Sequence, residues 1–351
     1  MKRSRLLVLV ISLVLVLSML LVASGCGTQA EEPKEEEPQA SEPAKEEEKE
    51  TAAWPQKPIE MTVPYSPGGG SDRLGRFIVK VIEQNNLLPE PIQVVNKPGG
   101  SGSVGSTYVA QNPGDAYKIL TFITGQMTAP MTGMGTYSWR DFTPIARLAL
   151  DEFLLLVHKD SPYQSLEEVL EAAKQKPGEF TVGGTALGAE DNMVVGMLEN
   201  AAGVDFNYIP FDSGGEVNTN LMGKQIDSGI FNPNEAIGAI ESGDFRPLVV
   251  FREERLKDLP DVPTAKELGY DVTFQMFRGV VGPKDMPEEA VKTMQEVLKK
   301  VSEDADWQEN YIKRNMLTSA YLPGEEFGAY MAKIEPGLID VLKAIGVYKG
   351  K

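Results

Sequence analysis

Tyr65-Ser66-Pro67-Gly68-Gly69-Gly70-Ser71-Asp72 contains no cation, yet its residue types are those of an anion site built from backbone. Glycines let N–H groups approach a ligand with no Cβ in the way. Leu74, Phe77, Ile78, Val81 and Ile82 then recur at helical spacing, which predicts a helix starting near Ser71. The free N–H groups and positive dipole end of that first turn favour a carboxylate or phosphate. A tight strand-to-helix turn with no ligand would use the same glycines, so the loop alone leaves both readings open. Arg73 lies inside the helix, beyond the loop.

Catalytic constellations are scarce. His158 is the only histidine, at the end of an apolar run beside Lys159 and Asp160, the setting of a structural residue. Cys26 is the only cysteine, so no Cys/His pair, disulfide or His/Cys metal cluster can be assembled within the chain. A Ser/His/Asp triad would need His158, and no GxSxG accompanies it. Carboxylate pairs stay open because Asp and Glu are abundant; their simplest reading is solvated faces. Neither catalysis, nor a cofactor, nor a metal is expected.

Gly100-Ser101-Gly102-Ser103-Val104-Gly105 fits GxGxxG between a candidate strand and a helical segment, the context of a dinucleotide fingerprint. The next candidate strand runs into Thr124-Gly125-Gln126, with no acid to hold a ribose. Gly100, Ser101 and Gly102 therefore read as a second loop of backbone donors. A faint echo links Val63-Pro64-Tyr65-Ser66-Pro67-Gly68-Gly69-Gly70 with Ile209-Pro210-Phe211-Asp212-Ser213-Gly214-Gly215-Glu216. If two lobes face one another, each offers an aromatic and a Gly-Gly turn to one cleft.

The elements that must position these loops alternate along the chain. Apolar runs Ile92 to Val95, Ile119 to Ile123, Phe153 to Val157, Val204 to Tyr208 and Leu248 to Phe251 read as buried strands with helical patterns between many of them. Ser165-Leu166-Glu167-Glu168 is a capping box, and Pro287 opens a helix with Val291, Met294, Leu298 and Val301 on one face. Such alternation means parallel sheets, whose ligands bind beyond the C-terminal strand ends. The roughly 300 residues from Trp54 onward exceed one ordinary core. Strand-like passages near Ala149 to Val157 and Asp271 to Val281 would carry the chain across. Residues 54–152 with 275–351 are expected as lobe one, and 153–274 as lobe two.

Before Trp54 the composition changes twice. Lys2, Arg3 and Arg5 precede the apolar run Leu6 to Val22, and Ala23-Ser24-Gly25 leads into Cys26, an export signal. Small residues before a lone cysteine resemble the lipobox of bacterial lipoproteins, which implies a signal peptide over 1–25 and a lipid on Cys26. An uncleaved anchor or an ordinary signal peptide is the alternative, although the 17-residue run is at the short edge of a spanning helix. Residues 26–53 then form an acidic tether: Glu31 to Glu50 holds ten Glu and three Lys, with no large apolar residue. Removing this −7 and the leader's +3 from the total of −17 leaves the remainder at −13. Nucleic acid is excluded as a partner on that balance, whereas backbone dipoles can still hold a carboxylate inside an acidic protein.

From Trp54 to the C-terminus the chain resembles the solute-binding receptors of tripartite tricarboxylate transporters, the Bug-type proteins. The likeness rests on Trp54-Pro55-Gln56-Lys57-Pro58-Ile59, Val63-Pro64, Pro67-Gly68-Gly69 with Asp72, and Val95-Asn96-Lys97-Pro98-Gly99-Gly100 with Gly102. Asp141-Phe142-Thr143-Pro144-Ile145-Ala146, Asp258-Leu259-Pro260-Asp261-Val262-Pro263-Thr264 and Arg278-Gly279-Val280-Val281-Gly282-Pro283 follow in order.

This resemblance implies an α/β, two-lobed, periplasmic-binding-protein-like fold (Venus flytrap, type II-like) with a central, mostly parallel sheet in each lobe. It further implies an extracytoplasmic monomer, anchored to the membrane through Cys26, that closes on a small organic carboxylate and delivers it to integral membrane permease subunits. A sensor presenting its closed form to a membrane kinase is the alternative. Expected ligand contacts in lobe one are Tyr65, Ser66, Gly68, Gly69, Gly70, Ser71 and Asp72, then Gly100, Ser101, Gly102 and Thr124. Thr185, Ala186 and Asp191 come from a lobe-two loop within Gly183 to Asn192, with Phe211, Gly214 and Phe277 completing the set. Two departures bear on the ligand. Ala189-Glu190-Asp191-Asn192 stands where Ser or Thr and then His is frequent, and Phe211-Asp212-Ser213 where Tyr-Lys-Gly is frequent. Both speak against a highly charged ligand such as citrate.

Overall fold

In the computed structural model, which describes residues 54–211 and 213–350, Ile59–Val63 forms β1 and feeds helix α1, Gly70–Gln84. Leu74, Ile78, Val81 and Ile82 are buried as their spacing predicts. Gly75 lets α1 settle on the sheet, since a Cβ there would lie 3.1 Å from the Met61 sulfur. Next come β2 (Ile92–Asn96), α2 (Ser103–Ala110), β3 (Lys118–Ile123), the short helix α3 (Thr124–Thr128) and the long strand β4 (Phe142–Asp151). The signal segment, Cys26 and the acidic tether lie outside the described residues, as does Asp212.

A second sheet is built by β5 (Leu154–His158), β6 (Thr181–Gly184), β7 (Asn207–Pro210), β8 (Ser228–Phe231) and β9 (Phe245–Val250). Its helices are α4 (Leu166–Gln175), α5 (Glu190–Ala202), α6 (Gly214–Met222) and α7 (Pro233–Glu241). Ser165 caps α4, its hydroxyl accepting from Glu168 N–H at 3.3 Å. The chain then returns through β10 (Met276–Pro283), α8 (Glu288–Glu303), β11 (Thr318–Pro323) and α9 (Gly324–Ala344) to the first sheet.

The strand orders are β11-β4-β10-β3-β1-β2 and β7-β6-β8-β5-β9. The fold is α/β and two-lobed, with each sheet mixed rather than mostly parallel. Around β1 the pairing is parallel, to β2 and β3, and around β6 it is parallel, to β7 and β8. The antiparallel remainder is β10, β4 and β11 in one sheet, β5 and β9 in the other. The chain crosses to the second sheet from the end of β4 and comes back through β10, which runs against β3 and β4. The strand expected at Val204 to Tyr208 begins later, at Asn207, because left-handed Gly203 ends α5 and Phe206 N–H is taken by the Glu199 carboxylate at 2.8 Å.

Where β4 passes into β5, Asp151 and Glu152 are fully buried. Glu152 accepts from Gln275 Nε2 at 3.0 Å and Thr318 Oγ1 at 2.7 Å, with Arg252 at 3.2 Å. It thus ties both crossing segments and β11 together.

Candidate functional site

Helices α1, α2 and α3 begin where the parallel strands β1, β2 and β3 end, and α5, α6 and α7 stand in the same relation to β6, β7 and β8. Contacts between α1 and α7 and between α3 and α5 join the two sets of helix N-termini, and the candidate site is built there.

Gly68 is left-handed, at φ 86°, and Gly69 caps α1 with φ −74° and ψ 174°. Asp72, buried in the first turn, accepts from Gly68 N–H at 2.9 Å, from Asn96 Nδ2 at 2.9 Å and from Arg76 Nε at 2.9 Å. Burial alone would raise its pKa; the bonds from Arg76, Gly68 and Asn96 outweigh it and hold the carboxyl below the usual range. Asp72 thereby braces the loop. Ser66, Gly68 and Gly69 are exposed, whereas Ser71 is buried. Arg73 folds back onto the Gly68 carbonyl at 3.1 Å and reaches the Asn234 carbonyl of the other lobe at 3.4 Å.

The nearest buried cation comes from a strand. A Cβ on Gly70 would lie 2.9 Å from Arg278 Nη2, so the guanidinium sits directly against the α1 N-terminus. Arg278 is 2% exposed and donates through Nε (2.9 Å) and Nη2 to one oxygen of Asp151, which is fully buried. Burial pushes Asp151 up to about 6 while Arg278 opposes that rise, leaving the carboxylate ionised at neutral pH. Phe277, expected to touch ligand, points the other way. Its ring is fully buried against Phe122 and Phe327, and Thr124 Oγ1 accepts its N–H at 3.1 Å. Strand alternation puts Phe277 in the core and Arg278 toward the cleft. Thr124, buried as well, joins β10 to β3.

The loop after β6 is a geometric copy of the loop after β1. Ala189 caps α5 with φ −73° and ψ 172°, and Gly188 has φ 77°. Ala189 N–H donates to the Ala186 carbonyl at 3.0 Å as Gly69 does to Ser66 at 3.4 Å. Gly188 N–H donates to Asn192 Oδ1 at 3.0 Å as Gly68 does to Asp72. Position 66 thus matches 186, and 70 matches 190. Asp191 accepts from Thr185 N–H at 2.6 Å, so it too supports its loop instead of facing a ligand. Where lobe one has bare Gly70, lobe two has Glu190, buried, whose Oε1 accepts from Gly125 N–H in the first turn of α3. Burial first, then the neighbouring Asp191 charge, raise Glu190 to about 7 against the pull of Gly125 N–H and Arg278.

Gly100, Ser101 and Gly102 are all left-handed, and Tyr65 Oη donates to the Ser101 carbonyl at 3.4 Å, joining the two lobe-one loops. No side chain fits at Gly102, because a Cβ there would lie 2.9 Å from Tyr65 Oη. In the second lobe, Phe211 packs its ring onto the core, and the space beside Gly214 is filled by the Glu235 carboxylate, which a Cβ would meet at 2.4 Å. Burial, with Asp191 adding, lifts Glu235 to about 7. Asn234 Nδ2 lies 3.3 Å from Asp151 Oδ2, and its Oδ1 is buried with no hydrogen-bond partner.

Arg278, Asp151, Glu235 and Asn234 are the site residues that local sequence patterns did not single out as contacts. Helix registry on α7 and strand alternation on β10 are the only signals that could have found them. A shallow groove of about 470 Å³ along Val104, Thr107, Tyr108 and Thr136 gathers no charged side chain. Among the described residues no His, Cys, Asp and Glu group is placed to hold a metal, and no helix is long and apolar enough to cross a membrane.

Residues 78–321 match the sequence profile of the family described as "Tripartite tricarboxylate transporter family receptor". A Polaromonas TctC solute-binding protein, solved without ligand, is 33% identical, with a TM-score of 0.66, covering 84% of this chain and 99% of its own. The periplasmic binding protein BugD is 27% identical with a TM-score of 0.76, covering 85% of this chain and all of its own. A protein of the gbd 5′ region of Cupriavidus necator is 27% identical over 301 residues, 85% of this chain and 90% of that one.

Proposed function

Because the chain belongs to the family of tripartite tricarboxylate transporter receptors, we propose that it is a lipid-anchored extracytoplasmic solute-binding protein that captures a small organic carboxylate and hands it to a membrane permease. The observation that carries this reading is the α1 N-terminus. There the Gly68–Gly69–Gly70 backbone, with no Cβ to obstruct it, meets the buried Arg278 guanidinium at a boundary between two lobes. Backbone N–H groups and a fixed cation are the donors that a carboxylate needs on leaving water. Gly100 to Gly102 offer a second backbone loop, tied to the first by Tyr65. Lobe one is 54–152 with 275–351, and lobe two is 153–274. The Glu152 cluster lies where the crossing segments would flex.

Closure about such a hinge excludes water from the ligand. The test is calorimetric titration of the chain with mono- and dicarboxylates, followed by small-angle scattering at saturation. A smaller radius of gyration with ligand is expected. Binding without compaction would refute the flytrap, and absence of binding by every carboxylate would refute the ligand class.

A further inference from the structure

The two matched loops differ in chemistry. Lobe one brings N–H groups, the Gly70 backbone and Arg278 to the boundary; lobe two brings Glu190 at the position matching Gly70, and Glu235 two helices later. Arg278 is the cation whose charge reaches both glutamates, and it already spends two hydrogen bonds on Asp151. The other charged or titratable groups acting on them are Asp191 and Asp151, both acidic, and the phenols Tyr65 and Tyr208 beside Glu190. Arg73 is committed to two backbone carbonyls. Lobe two's side therefore carries two acidic groups that burial keeps from ionising freely and that a cationic group placed beside them would let ionise.

A second observation is independent of that charge. Asn234, only 7% exposed, has Oδ1 without a donor. Its amide orientation is fixed, because the opposite flip would set Oδ1 against Asp151 Oδ2, the oxygen now 3.3 Å from Nδ2. Its backbone carbonyl is met by Arg73 from α1, which places it across from the glycine loop. A buried acceptor without a donor, on the helix that also carries Glu235, suits a hydrogen-bond donor, and a charged one.

We propose that the ligand is a zwitterion with its carboxylate on the Gly68–Gly70 loop of lobe one and an ammonium group, at the opposite end of a short chain, between Glu235 and Asn234 Oδ1 of lobe two. The inference rests on the carboxylate reading above and narrows it. An ammonium has three donors and no acceptor, which suits Asn234 Oδ1 and a carboxylate together. A second carboxylate at this place would meet two acidic side chains and an orphan acceptor, so a plain diacid is disfavoured by repulsion as well as by lost bonds.

The probes are two series on the full chain: butyrate, succinate and 4-aminobutyrate; hexanoate, adipate and 6-aminohexanoate. Within a series, chain length is similar and the end group is methyl, carboxylate or ammonium. In at least one series the amino acid should bind tenfold or more tighter than the diacid and the monoacid, as read by calorimetry. Glu235→Gln should reduce that preference to less than threefold, with thermal melting reporting the fold. The ranking is read on the unaltered chain, so the result does not depend on the variant folding. A diacid that binds as tightly as or tighter than the amino acid in both series overturns the proposal and leaves the carboxylate reading standing. Failure of all six to bind overturns both.

Discussion

Replacing Gly70 with alanine would put a methyl carbon 2.9 Å from Arg278 Nη2 and 3.0 Å from Nη1. Ordinary contact needs about 0.5 Å more, and the guanidinium has little room to give. It is 2% exposed and held by two bonds to a fully buried Asp151. Charge-assisted bonds are worth about 1.5 to 3 kcal/mol each, and a shift of that size weakens both without breaking them, a cost of about 2 to 3 kcal/mol. Alanine recovers up to about 1 kcal/mol of helix propensity. The balance is a destabilisation of about 1 to 2 kcal/mol, or a melting temperature lower by about 2 to 8 °C for a domain of this size. Gly69→Ala is the control: its Cβ would meet nothing closer than the Ser66 carbonyl at 3.5 Å, and its φ of −74° suits any residue. Differential scanning calorimetry of the two variants without ligand is the assay. If Gly70→Ala melts at or above the wild-type temperature, Arg278 is not wedged against α1 and the site geometry is wrong.

Gly69→Val should fold normally, because the space above Gly69 is open, yet lose about two to four powers of ten in carboxylate affinity if two charge-assisted bonds are lost; a loss below threefold on titration would make the loop a simple turn. The pH dependence has a definite sign. Glu190 and Glu235, raised by burial to about 7 from 4.5, bind protons more tightly in the folded chain than in the unfolded one, so their effect favours folding below the ordinary carboxylate range and is lost as pH rises through about 7. For buried Glu190 this amounts to about 1 to 3 kcal/mol. Melting of the ligand-free chain should therefore decline between pH 5.5 and 8, less steeply in Glu190→Gln; an equal slope in wild type and variant would contradict the assignment. Cys26→Ser should release the chain from membranes, since only a thiol accepts the thioether-linked lipid; equal retention at the precursor mass would make Leu6 to Val22 a permanent anchor.

What could be read from sequence follows from the range of the interactions. The β1–α1 unit was legible because its signals are local: an apolar run, three glycines and a stripe from Leu74 to Ile82 that is buried as expected. The capping of α4 by Ser165 and the start of α8 at Pro287 were legible for the same reason. Arg278 was not, since nothing in Phe277-Arg278-Gly279 says which face of β10 meets α1; that depends on a strand arriving from more than a hundred residues away. Phe277 was expected at the ligand, but its ring is fully buried and it is the neighbouring Arg278 that lies against α1, since one residue along a strand reverses the face. Asp72 and Asp191 were expected to touch ligand, and their carboxylates accept N–H groups of their own loops.

The internal echo had the right premise and the wrong partner. Pro-aromatic-x-x-Gly-Gly links the β1 and β7 loops, whereas the backbone copies the β1 loop after β6. Ser66-Pro67-Gly68-Gly69-Gly70-Ser71-Asp72 and Ala186-Leu187-Gly188-Ala189-Glu190-Asp191-Asn192 share little beyond Gly68 and Gly188, the positions where φ must be positive. Asp72 and Asn192 perform one task with different atoms, each accepting the N–H four residues earlier. Hydrogen-bond geometry is thus retained where residue identity is not. The positions freed from that geometry are those that set the chemistry: at the first helical residue, glycine leaves room for Arg278 and an incoming anion, while glutamate sends a carboxylate across to Gly125. One backbone device is thus used twice with opposite side chains, and if both loops face one ligand, as the zwitterion proposal has it, selection depends on the order of the ligand's charges as much as on their number.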